Sequence, residues 1–382
     1  MNDSATRLDL LIYAHDGRGF GHVSRSVAIG AAVRRLFPDL KVLLLTGFQQ
    51  TDALIDAVSL DWIKLPSYRK KVINGKARSR IGHTNLKKSY LAESRTRLIR
   101  AVVEEYRPRI VLVDHQPQGK SDELIDAIRC TSDAIWILGV RGVVGRVKEV
   151  WSSRAAAIFE KYYKALFWYG DDTILGREPL DELNTHFGVQ PRVTGYVSRL
   201  KEVRHWYKPS AVQDGSYAGT IAIPWGGDAS MAIVQSIHAA LSEIGDRYGS
   251  WQLFLNTGVN LFEHLPYCNA RKPGPRYLNT LPNSKVALIY GGYNSITDVL
   301  VARIPAIVLL RSLDDREQQR HVARLADRKG SALIAIDENN ADAGVLKAAL
   351  EELIESAPPD NSHLMLNGAE SAARILAAYL GD

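Results

Sequence analysis

Cysteine is scarce in this chain, and long apolar runs are missing. The 382 residues include only two cysteines, Cys130 and Cys268, which argues against a disulfide framework and favours a reducing compartment. No apolar run reaches the roughly 18 residues that a membrane-spanning helix needs, and the first residues lack the layout of a secretory signal. We therefore expect a cytoplasmic protein, with peripheral contact at the inner membrane face as the one membrane association to consider.

Motifs that bind metal ions are also missing. The sequence contains no Asp-x-Asp triplet and no His/Cys cluster with the spacing of metal ligands. Divalent metals in proteins are held by such groups of carboxylate, imidazole or thiolate ligands. We therefore expect no metal site and no cofactor other than a co-substrate.

Composition indicates a globular protein with more than one domain. Hydrophobic residues make up 46% of the chain and charged residues 24%, which is typical of proteins with an ample core. A single core rarely grows beyond about 250–300 residues, so two domains of about 190 residues are expected. The net charge of +6 favours acidic partners.

One stretch predicts a phosphate site. An apolar run from Val286 to Tyr290 is typical of a buried parallel strand. Gly291 and Gly292 then permit a tight turn, and Asn294 and Ser295 stand where we expect a helix to be capped. The N–H groups and the positive dipole end of that helix would point at one place, which suits a phosphate.

Polar side chains beyond this turn suit a nucleotide sugar. Asp298, one turn into the predicted helix, is within reach of a ribose attached to the phosphate. After a second predicted strand, Ala306–Leu310, come Arg316, Gln318 and Gln319. Their planar groups can pair with the hydroxyls of a sugar.

These residues carry a resemblance to a known family. The pattern Gly-Gly-x-Asn-Ser-x-x-Asp, an Ile-Pro-Ala strand and then Gln-Gln-x-x-x-Ala resembles the donor half of GT-B glycosyltransferases. It is most similar to the type that includes bacterial lipid II synthase, a UDP-GlcNAc transferase, and the UDP-glycosyltransferases. The resemblance implies that Gly291 and Gly292 hold the diphosphate, Asp298 the ribose, and Gln318 and Gln319 the donor sugar.

The chain departs from this family pattern at two positions. Asp298 stands where the family usually has Glu, and Tyr290 stands where plant-type members carry a His that faces the phosphate. The Asp-Gly-Arg-Gly-Phe-Gly-His opening and the Asp-His-Gln-Pro-Gln stretch that begins at Asp114 resemble a branch of predicted glycosyltransferases of unassigned substrate. That resemblance extends over most of the chain.

The resemblance implies an α/β protein with the GT-B fold, in which two Rossmann-like domains have parallel sheets that face each other across a cleft. We expect an acceptor-binding domain at 1–199, a polar linker at 200–219 and a nucleotide-sugar-binding domain at 220–365. A C-terminal helix at 366–382 is expected to cross back to the first domain.

A glycine-rich turn follows the first predicted strand, Leu8–Ala14. A dinucleotide-binding domain is the competing interpretation of such a turn. In that fold the second strand ends in an acidic residue that binds ribose, whereas the second predicted strand here, Lys41–Thr46, does not. The pattern Gly-x-Gly-His-x-x-Arg at Gly19–Arg25 resembles instead the N-terminal loop of the same transferases and of related nucleotide-sugar hydrolases. The resemblance implies that Gly21 and His22 face the donor.

His22 is the candidate general base. Displacement at an anomeric carbon needs a group that removes the proton of the attacking hydroxyl, and an imidazole titrates in the right range. The alternative is that His22 bonds its own loop or contacts phosphate. In plant-type relatives an Asp from the region of Asp114 orients the catalytic His, so Asp114 is the candidate partner, with His115 beside it. Alternatively, Asp114 caps the turn that follows its strand, Ile110–Asp114.

A basic segment lies within residues 61–109, after the second predicted strand, Lys41–Thr46. No Asp or Glu occurs between residues 62 and 92. A solvated loop is one interpretation, and an acceptor-binding loop for an anionic or lipid-linked acceptor, or for an anionic membrane surface, is the other. Aromatic residues are too sparse here to favour nucleic acid. The candidate acceptor-binding residues are Arg69, Lys70, Lys71, Arg78 and Arg80.

The second half of the chain opens with a further glycine turn. Gly226 and Gly227 follow a predicted strand, Thr220–Pro224, and in the relatives this loop touches the diphosphate from the other side. The proline-containing residues 260–285 are expected to form an extended connection. Residues 147–163 are expected to form one helix.

Together these features predict an inverting glycosyltransferase that uses a nucleotide-diphosphate sugar, with UDP as the expected nucleotide, and transfers the sugar to a hydroxyl acceptor. Two alternatives stay open. The protein could be a nucleotide-sugar hydrolase in which His22 activates water, or a non-catalytic protein that binds nucleotide sugars.

Overall fold

The computed structural model describes two compact units. One comprises Met1–Trp206 with Asn367–Asp382, and the other comprises Tyr207–Leu366. Side chains of residues 52, 53, 69–73, 76–80 and 317 are outside the description. The described residues are 7–15, 21–49, 51–55, 58–73, 76–80, 84–145, 147–206, 216–274, 276–311 and 317–381.

The predicted linker at 200–219 differs from the structure at both ends. Its first part belongs to a helix, Arg199–Trp206, and its last part to a strand that begins at Tyr217. Leu200 and Val203 on that helix are buried. The polar composition of this stretch therefore concealed an amphipathic helix of the first unit.

The first unit is built on a parallel sheet. Its order is β3-β2-β1-β6-β7-β8-β9, and β4 and β5 pair separately as an antiparallel hairpin. β1, β2 and β6 are buried along their whole length, as is typical of parallel strands covered on both faces. The strands are β1 (Leu10–Ala14), β2 (Val42–Thr46), β3 (Asp61–Lys64), β4 (Arg69–Ile73), β5 (Lys76–Arg80), β6 (Ile110–Asp114), β7 (Ile135–Arg141), β8 (Tyr163–Tyr169) and β9 (Arg192–Val193).

Helices cover this sheet, and one of them corrects a prediction. The expected single helix at 147–163 is two helices, because Ser152 has an extended backbone and its side chain accepts a hydrogen bond from the Ala155 N–H at 3.1 Å. The helices are α1 (Gly21–Leu36), α2 (Thr51–Ile55), α3 (Lys88–Tyr106), α4 (Ile125–Cys130), α5 (Lys148–Trp151), α6 (Ser153–Tyr162), α7 (Asp172–Leu175), α8 (Glu178–Phe187) and α9 (Arg199–Trp206).

The second unit has its own parallel sheet, in the order β12-β11-β10-β13-β14-β15. The extended connection expected at 260–285 was wrong in part, since this stretch contains an edge strand, Cys268–Arg271, and a helix, Arg276–Thr280. The strands are β10 (Tyr217–Ile223), β11 (Trp251–Leu255), β12 (Cys268–Arg271), β13 (Ser284–Tyr290), β14 (Ala306–Leu310) and β15 (Leu333–Asp337). The helices are α10 (Asp228–Ile244), α11 (Arg276–Thr280), α12 (Tyr293–Ala302), α13 (Glu317–Ala326) and α14 (Ala343–Glu355).

Both sheets reverse their strand order beside the first strand of the unit. In the first unit β1 pairs with β2 on one side and β6 on the other. In the second unit β10 lies between β11 and β13. The loops that leave the two central strands then diverge, and α/β sheets bind ligands in the crevice that opens at this point.

The last helix, α15 (Gly368–Gly381), belongs to the first unit and packs on α1. Its start is held by the Gly368 N–H, which donates to the Tyr196 carbonyl at 3.0 Å. Its end is held by Arg109, whose Nη2 donates to the Leu380 carbonyl at 2.5 Å. None of the helices in the described ranges combines the length and the hydropathy that crossing a bilayer requires.

Gly368 leaves no room for a side chain. A Cβ atom there would lie 2.6 Å from the Tyr196 carbonyl oxygen and also against that of Gly195, and backbone atoms cannot move aside cheaply. We expect Gly368→Ala to destabilise the chain by about 1–3 kcal/mol, measured by chemical denaturation. Gly381→Ala in the same helix is the matched control, because nothing lies within 4 Å of its Cβ position. Equal denaturation midpoints for the two variants would contradict this prediction.

Candidate functional site

A buried carboxylate holds the candidate base in the first unit. Asp114 is the last residue of β6 and is 3% exposed. His22 lies in the first turn of α1, which follows β1, and its Nδ1 is 2.5 Å from Asp114 Oδ2. β1 and β6 are neighbours in the sheet, so the loop after one strand meets the end of the other. The structure thus brings together the two residues that were proposed as a catalytic pair.

Arg25 completes this arrangement, and the sequence analysis assigned it no role. Its Nη2 donates to Asp114 Oδ1 at 3.1 Å and to Oδ2 at 3.0 Å, and its Nε donates to Oδ1 at 3.2 Å. Arg25 is itself 3% exposed. The ion pair offsets the cost of burying both charges. Position 25 is one helical turn after His22, which places both side chains on the same side of α1.

Two further histidines surround the pair. His15 directly follows β1, and its Nδ1–H can donate to the Asp114 backbone carbonyl at 3.3 Å. The ring centroids of His15 and His22 are 4.0 Å apart, and those of His22 and His115 are 5.3 Å apart. His15 was not predicted, although its place at the carboxyl end of the first strand was a usable signal.

His115 has an unusual backbone and a shifted pKa. Its φ of 76° lies in the left-handed region, which is uncommon for a residue with a side chain and is often found at functional sites. Burial lowers the pKa of His115 well below its ordinary value, and the charges of His22 and Arg141 act in the same direction. His115 is therefore neutral at physiological pH.

The ligand atoms of this cluster are close enough together to hold a metal ion. Ligand atoms of His15, His22 and Asp114 lie within 4.8 Å of one another. However, the Arg25 guanidinium already bonds both oxygens of Asp114, and a metal cation would have to displace that charge. These side chains fit an ion-paired histidine better than a metal centre.

The second unit contains the predicted strand–turn–helix arrangement. β13 ends at Tyr290, Gly291 donates its N–H to the Leu309 carbonyl at 3.0 Å, and Gly292 is the N-cap residue of α12. The capping role expected of Asn294 and Ser295 was wrong, because the helix begins at Tyr293 and both residues lie inside its first turn. The first-turn N–H groups of α12 are therefore presented next to the two glycines.

Asp298 and Gln318 lie near this turn. Asp298 is buried in α12, and its charge contributes, after burial, to raising the pKa of Tyr277 in α11 well above the ordinary value. Gln318, at the start of α13, has its Oε1 3.5 Å from the Cβ position of Gly291. Within the described part of the chain, that oxygen is buried without a hydrogen-bond partner. Gln319 is half-buried beside it.

The second glycine turn has a similar layout. Gly226 and Gly227 follow β10, and Gly227 is the N-cap residue of α10 with a φ of 107°. A Cβ atom at Gly226 would lie 3.2 Å from Asn256 Nδ2, whereas nothing lies within 4 Å of the one at Gly227. Since β10 and β13 are adjacent, both glycine turns of this unit follow the central strands of one sheet.

Tyr290, the last residue of β13, contacts the carboxylate of Glu338. Its hydroxyl donates to Glu338 Oε2 at 3.2 Å, and Arg311 Nε lies 3.9 Å from the same carboxylate oxygen. The Arg311 guanidinium in turn lies 5.4 Å from the centre of the Trp225 ring. Burial and the Glu338 charge raise the pKa of Tyr290. Tyr290 is therefore a neutral donor to Glu338.

Several candidate residues lie wholly or partly outside the described part of the chain. Arg316 lies outside the described residues. For Arg69, Lys70, Lys71, Arg78 and Arg80 only the backbone is described, and it forms the β4–β5 hairpin rather than an irregular loop. In this ladder Arg69 lies opposite Arg80, and Lys71 lies opposite Arg78.

Comparison with known proteins gives matches among solved structures. No family model and no curated protein matches the sequence. MurG of Acinetobacter baumannii is 13% identical, with a TM-score of 0.55 over 98% of this chain and 100% of that chain. UGT71G1 of Medicago truncatula, solved with UDP-glucose, is 11% identical, with a TM-score of 0.62 over 100% and 99%. The UDP-GlcNAc 2-epimerase of Methanocaldococcus jannaschii, solved with UDP-GlcNAc and UDP, is 12% identical, with a TM-score of 0.62 over 98% and 100%.

The chain has the GT-B fold. The fold expected from the resemblance is thereby confirmed, and the neighbours include transferases of the types that the sequence resembles. Identities of 11–13% show the fold alone. GT-B proteins among these neighbours include an epimerase as well as transferases, so the fold does not determine the chemistry.

The Arg25–Asp114 ion pair gives a testable stability effect. Arg25→Leu leaves a buried carboxylate without its guanidinium, and we expect a loss of about 3–5 kcal/mol. Asp114→Asn removes the charge that needs the partner. The double variant should therefore be more stable than the sum of the single effects predicts, by roughly 0.5–3 kcal/mol. Chemical denaturation of the four proteins measures this coupling, and strictly additive effects would contradict it.

Proposed function

We propose that the protein is an inverting glycosyltransferase that moves a sugar from a nucleotide diphosphate, UDP in the first instance, to an acceptor hydroxyl. The observation that carries the proposal is the 2.5 Å contact between His22 Nδ1 and the buried Asp114 carboxylate. It is supported by the glycine turns of the second unit and by solved GT-B neighbours that hold UDP-glucose or UDP-GlcNAc.

His22 acts as the general base. Asp114 accepts the Nδ1–H, which leaves the Nε2 lone pair for the acceptor hydroxyl. His22 is 21% exposed in its side chain, whereas Asp114 is 4% exposed, so the imidazole is accessible while its partner is not. The acceptor oxygen bonds to the anomeric carbon as its proton passes to Nε2, and the bond from that carbon to the diphosphate oxygen breaks.

The second unit binds the donor. The N-terminus of α12 with Gly291, Gly292, Asn294 and Ser295 stabilises the charge of the departing diphosphate. Asp298 accepts hydrogen bonds from the ribose hydroxyls. The remaining donor roles in this unit are those of Gln318, Gln319 and Arg316 for the sugar and of Gly226 and Gly227 for the diphosphate. Gly21 of the first unit keeps its expected role of facing the donor.

The basic hairpin binds the acceptor. Like charges directly opposite each other destabilise an antiparallel pair, and the hairpin has two such pairs in its ladder. An anionic group on the acceptor would offset this repulsion. We therefore propose an acceptor that carries phosphate or carboxylate, either free or attached to a lipid at a membrane surface.

The reaction is proposed to need no metal ion. The positive charge that a divalent metal would supply to the diphosphate comes instead from the helix N-termini of the second unit. This follows the expectation from the sequence, and activity in the presence of a chelator would test it.

A nucleotide-sugar epimerase or hydrolase is the second candidate. The archaeal UDP-GlcNAc 2-epimerase matches as well as the plant transferase does, both with a TM-score of 0.62. Proteins of these classes act on the sugar nucleotide alone, so a basic acceptor surface has no purpose in them. A non-catalytic protein that binds nucleotide sugars is the third.

Labelled sugars distinguish these activities. The protein is incubated with UDP-, GDP- and dTDP-sugars labelled in the sugar, with and without phosphorylated acceptors. Labelled acceptor together with free nucleoside diphosphate supports the transferase. Free sugar without acceptor indicates a hydrolase, an isomerised sugar nucleotide indicates an epimerase, and bound but unchanged donor indicates a non-catalytic protein.

Loss of the base should affect turnover more than binding. We expect His22→Ala to lower kcat by about 10²–10⁴-fold with nearly unchanged UDP affinity, because the imidazole acts in the transition state. The matched control is His205→Ala, since His205 is exposed on α9 of the same unit. A large loss of UDP affinity in His22→Ala would instead make His22 a phosphate ligand.

Asp298 should govern nucleotide affinity. Hydrogen bonds to a charged group contribute about 1.5–3 kcal/mol, so Asp298→Ala should weaken UDP binding by roughly 10–150-fold in calorimetry. Asp298→Glu restores the residue usual in the family and should retain binding. Asp327→Ala, at an exposed position after α13, is the control. Unchanged UDP affinity in Asp298→Ala would place the ribose elsewhere.

A further inference from the structure

Two histidines in the second unit face each other through their outer nitrogens. His238 lies in α10, and His264 follows the short 3₁₀ helix Val259–Phe262. Their Nε2 atoms are 3.2 Å apart, and their ring centroids are 5.0 Å apart at an interplanar angle of 56°. Neither residue belongs to the glycine turns or to the helix α12 that were assigned to the donor.

This separation suits a shared metal ion. Zinc binds imidazole nitrogens at about 2.0–2.1 Å, so two such ligands at a tetrahedral angle lie about 3.4 Å apart. The observed 3.2 Å between the nitrogens is therefore close to the spacing that chelation requires. At this distance one Nε2–H can donate to the other Nε2, and a metal ion bound by both nitrogens would replace that proton.

The surroundings keep His238 available as a ligand. The ring of Phe262 packs edge-on against His238 at a centroid distance of 5.5 Å, which limits the motion of that ring. His264 is exposed, so solvent ligands can reach the ion from its side.

We propose that His238 and His264 together bind one divalent transition-metal ion such as Zn²⁺. Among the described residues, the His, Cys, Asp and Glu clusters of three or more that could hold a metal comprise His15, His22 and Asp114. The His238–His264 ion is therefore held by two protein ligands, and water completes its coordination. Such an ion exchanges readily, and it links α10 to the segment after the 3₁₀ helix. The proposal does not depend on glycosyl transfer.

Titration with Zn²⁺ alone tests this site. Calorimetry on the full chain without a polyhistidine tag compares the wild type with His238→Ala, His264→Ala and the control His205→Ala. We expect the wild type and the control to bind equally. Each of the other variants should lose one equivalent of Zn²⁺ or bind it at least tenfold more weakly. His264→Ala is decisive if His238→Ala is unstable, since His264 is exposed.

Thermal unfolding gives a second measurement. Zn²⁺ that links two segments of the folded unit should raise the unfolding midpoint of the wild type but not that of the His238→Ala/His264→Ala double variant. Unchanged Zn²⁺ stoichiometry and affinity in the double variant would overturn the proposal, as would a wild type that binds no Zn²⁺. Retained binding in the double variant together with loss in His22→Ala would assign the ion to the cluster around Asp114 instead.

Discussion

A single buried carboxylate organises the candidate active site. Asp114 is 3% exposed at the end of a central strand, and a charge in that environment is tolerated only with partners that satisfy it. Arg25 and His22 supply them, and both lie on the first turns of the helix that follows the neighbouring strand. The carboxylate thus fixes the start of α1 on the sheet, and the orientation of the His22 imidazole depends on it. The position of the candidate base and of its support therefore follows from one electrostatic requirement.

A second buried ion pair holds the chain just before the basic hairpin. Arg95 and Glu123 are fully buried and joined by hydrogen bonds of 2.6 and 2.7 Å, and the Tyr13 hydroxyl donates to the same carboxylate. Arg95 also donates to the Pro66 carbonyl at 2.6 Å and lies 5.0 Å from the centre of the Tyr68 ring. The residues just before the basic hairpin are therefore attached to the core of the first unit. A hairpin of two strands is marginally stable by itself. This attachment fixes the position at which the hairpin leaves the core of the first unit.

The two units have similar sheets but place different groups beside their central strands. In each, the strand order reverses beside the first strand, which is where α/β sheets bind ligands. In the first unit the crevice is lined by ionised and imidazole side chains. In the second, glycines and the start of α12 are placed there, an arrangement of backbone N–H groups and helix dipole that favours an anion. A base needs a side chain that titrates, whereas a diphosphate needs positive potential without a proton to lose, and this difference matches the roles proposed for the two units.

The sequence alone determined the parts that depend on local pattern. Apolar runs predicted β6 and β14 with their observed bounds, and the glycine turn before α12 was evident because a strand, two glycines and a helical period occur in succession. The short or mixed strands, β12 among them, were missed because their residues are only partly buried. The sequence predicted that α12 begins after Asn294 and Ser295, because Asn and Ser often cap helices. The helix in fact begins earlier, at Tyr293. Only the tertiary structure brought His15 and Arg25 to Asp114, because the pairing of β1 with β6 joins residues about a hundred positions apart, and no local pattern encodes which strands become neighbours.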